Sequence, residues 1–195
     1  MNLQPKAFAA SKGVAAASLG DRSAAVAMAR KIESVFRVAF AAGTTTQGKL
    51  APPSAGQQKN RLFVTLAHHD APMLDRNAAA YWASRGMPAT ALEMWFDATG
   101  LERKKDLLAA LQVSASTLSR AKPDTLLDTA VTERMLRQSE LFVRAAEVFG
   151  NSGSAWMTKP HDLLDGRSPL ECATNEFGGA RVRQMLNAIE YGGVV

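Results

Sequence analysis

The sequence predicts an all-α fold, and two observations indicate it. From Leu101 onward nearly every segment fits a helix bounded by capping residues. No series of strands alternates with helices, as an α/β enzyme fold requires. Apolar residues make up 47% of the 195 positions and charged residues 21%, which is typical of a globular chain. No apolar run approaches the roughly 20 residues that a membrane span needs.

The net charge of +5 is distributed unevenly along the chain. Residues 1–60 contain 8 basic and 2 acidic side chains, residues 61–145 contain 11 and 10, and residues 146–195 contain 4 and 6. Because basic surfaces attract phosphate, nucleic-acid contact is expected in the first two parts and not in the last. The single Cys172 excludes an intramolecular disulfide and Cys-x-x-Cys motifs, which favours a cytoplasmic location.

Residues 1–60 are expected to form an extension to the folded part. The opening MNLQPKAFAASKGVAAASLG lacks the continuous apolar core of a signal peptide, so a disordered or loosely helical segment is expected. One helix is predicted over residues 22–42, stopping at Gly43, and the Gly-, Pro- and Thr-rich stretch after it indicates a flexible linker. The extension could add non-specific DNA affinity or help the protein to dimerise.

Residues 61–142 are expected to form a helical region. Its first segment, RLFVTLAHHDAP, is too short to be assigned to a strand or a helix, whereas DRNAAAYWASRG and PATALEMWFDATG are predicted helices that end at glycines. His68 and His69 are adjacent and point in different directions, and no third ligand lies at metal-site spacing, so no metal is predicted there.

The segment LERKKDLLAALQVSASTLSRAKP predicts a helix-turn-helix over residues 101–122. The hydroxyl of Ser114 caps the second helix, and Pro123 limits that helix to about two turns. Small and polar side chains would face outward, which suits a DNA major groove. The candidate DNA-binding residues are Ser114, Ser116, Thr117, Ser119, Arg120 and Lys122. An ordinary helical hairpin with a solvated polar face is the alternative.

This segment resembles the helix-turn-helix of Xre-type (Cro/CI-like) regulators, whose usual wording is near LAxxLGVSxxTLSR. It departs from that pattern at Gln112, where Gly is favoured in the turn, and at Leu108, where a small residue is usual. The next segment, PDTLLDTAVTERMLRQSELFVRAAEVFG, predicts a long helix that starts near Pro123, ends at Gly150 and is buried on more than one side. It would bridge the helix-turn-helix to the C-terminal part.

The C-terminal part, residues 143–195, contains many residues that start or stop helices. A short helix carrying Trp156 is followed by Pro160, and Ser168 with Pro169 is a cap and a first helical turn. The resulting helix, PLECATNE, is predicted to stop at the Gly178-Gly179 pair. A last amphipathic helix, ARVRQMLNAIEYG, then presents one apolar face.

The order AAEVFG…AW…P…LDGRSPLE…EFGGARVRQMLNAIEYG is similar to the toxin-binding domain of Xre/MbcA/ParS antitoxins. This resemblance covers about residues 143–193 and, with the helix-turn-helix and the bridging helix, extends to about residues 90–195. It departs from the family at Asn175, where Thr is usual, and in its final residues.

The resemblance implies the antitoxin of a type II toxin–antitoxin system, with residues 143–195 as a toxin-binding domain. The family's partner is a RES-domain toxin that consumes NAD, and the antitoxin covers its active-site entrance; the helix-turn-helix binds the operon's own promoter and regulates its transcription, usually as a dimer. The candidate toxin-binding residues are Arg181, Arg183, Glu190, Tyr191, Gly192, Gly193, Val194 and Val195. Val182, Leu186 and Ile189 are expected in the core. No cofactor is expected.

Catalysis is not expected. Cys172 on a short amphipathic helix is expected to be a small buried apolar residue, and His161 has no convincing oxyanion site or orienting carboxylate. The segment GNSGS at 150–154 lacks the preceding strand of a serine-nucleophile elbow, and no Walker or dinucleotide motif occurs. Two alternatives to an antitoxin stay open: a stand-alone helix-turn-helix repressor whose C-terminal domain only dimerises, and a scaffold protein.

Overall fold

Helix α6, Thr129–Phe149, lies at the centre of the computed structural model, which describes residues 22–43, 61–66, 69–120, 122 and 125–192. The helix begins after Asp128, whose carboxylate accepts a hydrogen bond from the backbone N–H of Ala130 at 2.8 Å. The five consecutive positions 135–139 are all buried, so the middle of the helix is enclosed on every side. The predicted long helix with more than one buried side is confirmed, although it starts later than expected.

Helix α1, Arg22–Gly43, packs against α6 and against α3, Ala91–Thr99. One face of α1 supplies six buried apolar side chains: Ala25, Ala29, Ile32, Val35, Phe36 and Ala39. The predicted helix over 22–42 is confirmed. The expectation that residues 1–60 are an appendage to the folded part is corrected for this helix, because its apolar face completes the core. The rest of that extension lies outside the described residues.

The segment left open between strand and helix forms an antiparallel hairpin of β1, Phe63–Leu66, and β2, His69–Leu74. Its register pairs Phe63 with Leu74, and both side chains face the core. Helix α2, Arg76–Ala83, follows the hairpin directly. His69 therefore begins a strand, while His68 lies outside the described residues.

The backbone after α2 pairs with the segment that precedes α6. The N–H of Leu127 donates to the carbonyl of Met87 at 2.7 Å, and the N–H of Ala89 donates to the carbonyl of Thr125 at 2.8 Å. These bonds satisfy backbone groups in two connections that have no regular structure of their own. They also fix the entry of the chain into α6.

Helices α4, Lys104–Leu111, and α5, Ala115–Arg120, form the helix, tight turn and helix predicted from the sequence. The Oγ of Ser114 accepts the N–H of Thr117 at 3.0 Å, so the predicted cap is confirmed. Gln112 adopts the left-handed conformation with φ +50°, which explains why Gly is favoured in this turn. A side chain in that region costs about 1 kcal/mol.

Helices α7, Gly153–Thr158, and α9, Glu176–Glu190, pack against α6, and the short helix α8, Pro169–Cys172, contacts α4, α7 and α9. Single 3-10 turns at Gly150–Ser152 and Asp162–Leu164 connect them. The largely helical structure confirms the predicted all-α class, to which the hairpin is an addition. None of the described helices is both long and apolar enough to cross a bilayer.

Candidate functional site

The start of α9 lies against the end of α8 and against α6, and two glycines permit these contacts. Asn175 caps the helix by accepting the N–H of Gly178 at 2.9 Å. A Cβ on Gly178 would lie 1.8 Å from the carbonyl oxygen of Cys172, and a Cβ on Gly179 would lie 2.9 Å from Cδ of Arg137. The expectation that these glycines stop a helix is therefore wrong, because both lie inside the first turn of α9. Gly178 lets that turn approach the backbone of α8, and Gly179 lets it approach the Arg137 side chain of α6.

Helix α8 is fixed at its start by reciprocal hydrogen bonds between Ser168 and Glu171. The backbone N–H of Glu171 donates to the Ser168 hydroxyl at 3.2 Å, and the Glu171 carboxylate accepts the Ser168 backbone N–H at 2.9 Å. The bond from the Ser168 backbone lowers the pKa of Glu171 below its ordinary value. The predicted cap with Pro at the first helical position is confirmed, and Cys172 is buried as expected.

Buried Arg137 joins α6 to α9. Its guanidinium donates to the carboxylate of Glu176 and to the carbonyl of Thr174, both at 3.2 Å, and it also pairs with Glu133. Burial raises the pKa of Glu176, but ion pairs with Arg183 and Arg137 outweigh it and hold the pKa below its ordinary value. The side chain of Arg137 is 7% exposed, whereas the side chains of Glu133 and Glu176 are 54% and 64% exposed, so a buried guanidinium meets carboxylates at the surface.

A second set of ion pairs runs further along the same two helices. Arg183 donates to Glu140 of α6 at 2.8 Å and also pairs with Glu176. Arg144 of α6 pairs with Glu190 and donates to Asn187 at 2.9 Å. Two predicted toxin contacts, Arg183 and Glu190, are therefore bound to α6 within the chain.

The face of α9 turned away from α6 carries a row of side chains that are exposed except for one half-buried alanine, Ala188. This row, here called the outer stripe, consists of Phe177, Arg181, Gln184, Ala188 and Tyr191. Its spacing of 4, 3, 4 and 3 residues keeps all five on one side of the helix over about 21 Å. Phe177 is 90% exposed and Tyr191 72% exposed. Both ends of the stripe thus present an aromatic ring to solvent.

The opposite face of α9 is core. Val182 and Leu186 are fully buried, and Ile189 packs half-buried against them, as the sequence predicts. At the end of the helix Gly192 is exposed with φ +68°. Residues 193–195, the remaining predicted toxin contacts, lie outside the described residues.

Arg181, another predicted contact, holds the outer stripe against the preceding loop. Its guanidinium donates to the carboxylate of Asp165 at 2.9 Å and to the carbonyl of Leu163. The hydrogen bond from Arg181 lowers the pKa of Asp165. Leu163 itself is 46% exposed beside the stripe. Neither Phe177 nor Leu163 is among the contacts that the sequence predicts, although the spacing of 4, 3, 4 and 3 residues from Phe177 to Tyr191 is a sequence signal for the stripe.

Residues that suggested enzyme chemistry have structural roles. A Cβ on Gly153 would lie 2.6 Å from the backbone of α6, so GNSGS forms a close helix crossing. The hydroxyl of Ser154 donates to the carbonyl of Thr99 at 2.6 Å. The ring of His161 packs on Trp156 with centroids 4.9 Å apart. Within the described ranges no group of three or more His, Cys, Asp or Glu side chains is placed to hold a metal.

The predicted DNA-binding residues share one exposed surface of α5 and its flanks. All six are exposed: Ser114, Ser116, Thr117, Ser119, Arg120 and Lys122. Leu118 is half-buried beside an apolar cavity of about 390 Å³, which Ser116, Thr117 and Arg120 also line together with Leu126 and Val131. Because α5 has no fully buried side chain, it is held mainly by its cap and by Leu118.

The C-terminal helices and the second half of α6 together define a small helical domain with one uncovered face. Residues 144–192 match the family of the antitoxin Xre/MbcA/ParS C-terminal toxin-binding domain. The chain is also 29% identical over 91 residues to Antitoxin Xre of Pseudomonas putida, a match that covers 46% of this chain and 55% of the relative. The chain thus spans about half the length of the curated relative it matches. These matches confirm the predicted resemblance to the Xre/MbcA/ParS antitoxin family.

We expect Gly178→Ala to destabilise the protein by about 3 kcal/mol, because the added methyl overlaps a backbone carbonyl that has no free rotation to relieve the clash. Thermal unfolding monitored by circular dichroism measures the change.

The adjacent Gly179→Ala is the matched control. It gives the same gain in helix propensity, but its Cβ meets Cδ of the Arg137 side chain and no backbone carbonyl, so its cost should be smaller, about 1–2 kcal/mol. Equal stability of the two variants would show that α9 does not begin against α8.

Proposed function

We propose that this chain is the antitoxin of a type II toxin–antitoxin system, with residues 143–195 as the domain that binds the toxin. The observation that carries the proposal is the match of residues 144–192 to a toxin-binding domain family, supported by a relative named as an antitoxin. The uncovered outer stripe of α9 supports it further, because exposed aromatic rings are typical of protein-binding surfaces.

The proposed toxin is a RES-domain enzyme that consumes NAD, and the antitoxin neutralises it by covering its active-site entrance. In this arrangement Arg181, Tyr191 and Gly192 contact the toxin, and residues 193–195 enter its cleft. Arg183 and Glu190 lie beside that contact and hold α9 on α6 through their ion pairs. Gly192 and Gly193 carry no side chains, so the backbone that follows α9 fits a narrow cleft that a helix does not.

We further propose that the chain binds the promoter of its own operon as a cytoplasmic homodimer and so regulates its transcription. Helix α5 would enter the major groove with its exposed hydroxyls toward the bases, and Arg120 and Lys122 would contact phosphates. A stand-alone repressor is the second candidate function. The exposed polar face of α5 favours DNA binding in both cases, but only the antitoxin requires a toxin partner.

Expression of the adjacent gene's product alone is expected to stop growth and deplete cellular NAD, and co-expression of this chain is expected to restore both. The physical reason is that the bound antitoxin closes the route by which NAD reaches the toxin. Growth curves and NAD measurements in the same cells check the result.

A variant ending at Tyr191 separates binding to the toxin from blocking of the toxin's active-site entrance. It keeps α9 and its contacts with α6, so it should still bind the toxin but neutralise it less. An adjacent product that is not toxic, or toxicity that the full chain does not relieve, contradicts the antitoxin function. Unchanged neutralisation by the shortened chain contradicts entry of the terminus into the cleft.

For DNA binding, we expect Arg120→Ala to weaken promoter affinity and to reduce the slope of log affinity against log salt by about 1, because one phosphate contact is lost. Fluorescence anisotropy at several salt concentrations measures both quantities.

Lys159→Ala is the matched control, since it removes one exposed positive charge from the toxin-binding domain instead of α5. It should leave the slope unchanged. Promoter affinity that does not vary with salt, or equal effects of the two variants, would show that α5 does not bind DNA as proposed.

A further inference from the structure

The outer stripe contains side chains that the fold does not use. Phe177 lies in the first turn of α9, where Asn175 supplies the cap and the two following glycines make the contacts with α8 and α6. The Phe177 ring is 90% exposed and has no role in this packing. Burial of an aromatic ring is stabilising, and the exposed Phe177 ring does not contribute this free energy to folding. A partner that covers the ring would gain it on binding.

The exposed apolar surface extends beyond α9. Arg181, one turn after Phe177, hydrogen-bonds to the carbonyl of Leu163 and to Asp165. Leu163, 46% exposed, is therefore held beside the stripe by a fixed guanidinium. The surface combines an aromatic ring and an oriented cation, which are residue types enriched at protein interfaces, with an aliphatic side chain beside them.

We propose that Phe177 and Leu163, together with Arg181 and Tyr191, form the surface on which the toxin polypeptide docks, with Phe177 as its principal anchor. This inference rests on the proposed antitoxin function. The complementary toxin surface would have two apolar depressions, one for Phe177 and one for Tyr191. They would lie about 21 Å apart, the rise of the 14 residues between these two positions. A carbonyl or carboxylate of the toxin between them would accept hydrogen bonds from Arg181.

Two features favour the toxin as the occupant. All four residues lie within the stretch that matches a toxin-binding domain, and the other face of α9 is occupied by α6. The stripe also ends at Tyr191, next in sequence to Gly192, so a toxin docked on α9 lies beside the residues proposed to enter its cleft.

The test uses the full chain and an inactive form of the adjacent gene's product, with affinity measured by titration calorimetry. Phe177→Ala is expected to weaken binding about 30-fold or more, the loss typical of a binding hot spot. Leu126→Ala is the matched control, because Leu126 is also an exposed large apolar residue, at 54%, but lies beside α5. It should change the affinity by less than about threefold. Light scattering of each variant records its oligomeric state.

The outcomes separate the docking surface from the antitoxin function. If the wild-type chain binds tightly and Phe177→Ala binds equally well, the docking surface is overturned and the antitoxin function stands. If Phe177→Ala changes the oligomeric state while toxin affinity is unchanged, the occupant is a second copy and the proposal is overturned. If the wild-type chain does not bind, both the function and the surface assigned to it are overturned.

Discussion

The contact between Gly178 and the Cys172 carbonyl determines where α9 lies, and the C-terminal domain depends on it. Because Gly178 has no side chain, the first turn of α9 rests directly on the carbonyl of Cys172, the last residue of α8. Gly179 leaves space for the Arg137 side chain, which then pairs with Glu176 at the same end of the helix. This placement buries one face of α9 against α6 and leaves the outer stripe uncovered.

Helix α6 supports both halves of the molecule. Arg134, in its first half, donates to the carbonyl of Leu111 at 2.8 Å and so holds the end of α4 next to the turn. Arg137 and Arg144 bind α9 from the same helix. Charged groups enclosed in this way are destabilising unless paired, so the ion pairs fix the relative position of the helices more than they add stability. One helix thus carries the surface proposed for DNA and the surface proposed for the toxin.

Local signals in the sequence predict much of the fold. The caps at Ser114 and Ser168 and the Gly100 stop give the helix boundaries, and the order of unusual residues after Ala145 indicates the family that the C-terminal part resembles. Contacts between segments that are distant in sequence are harder to predict. The hairpin depends on pairing that a short apolar run does not reveal, and the Gly178-Gly179 pair looks like a break because the nearby Cys172 carbonyl is invisible in sequence.

The site, like the fold, is only partly predictable from sequence. Arg183 and Glu190 look like free surface charges in the sequence, and only the position of α6 shows that both are paired.

We propose that the toxin covers the outer stripe of α9, and hydroxyl-radical footprinting of the purified complex tests this directly. Phe177 and Tyr191 should become protected from oxidation when the toxin is added, while Met73, 43% exposed on β2, should be oxidised as in the free chain. Oxidation of both aromatic rings at the free rate in a complex that has formed would contradict the claim.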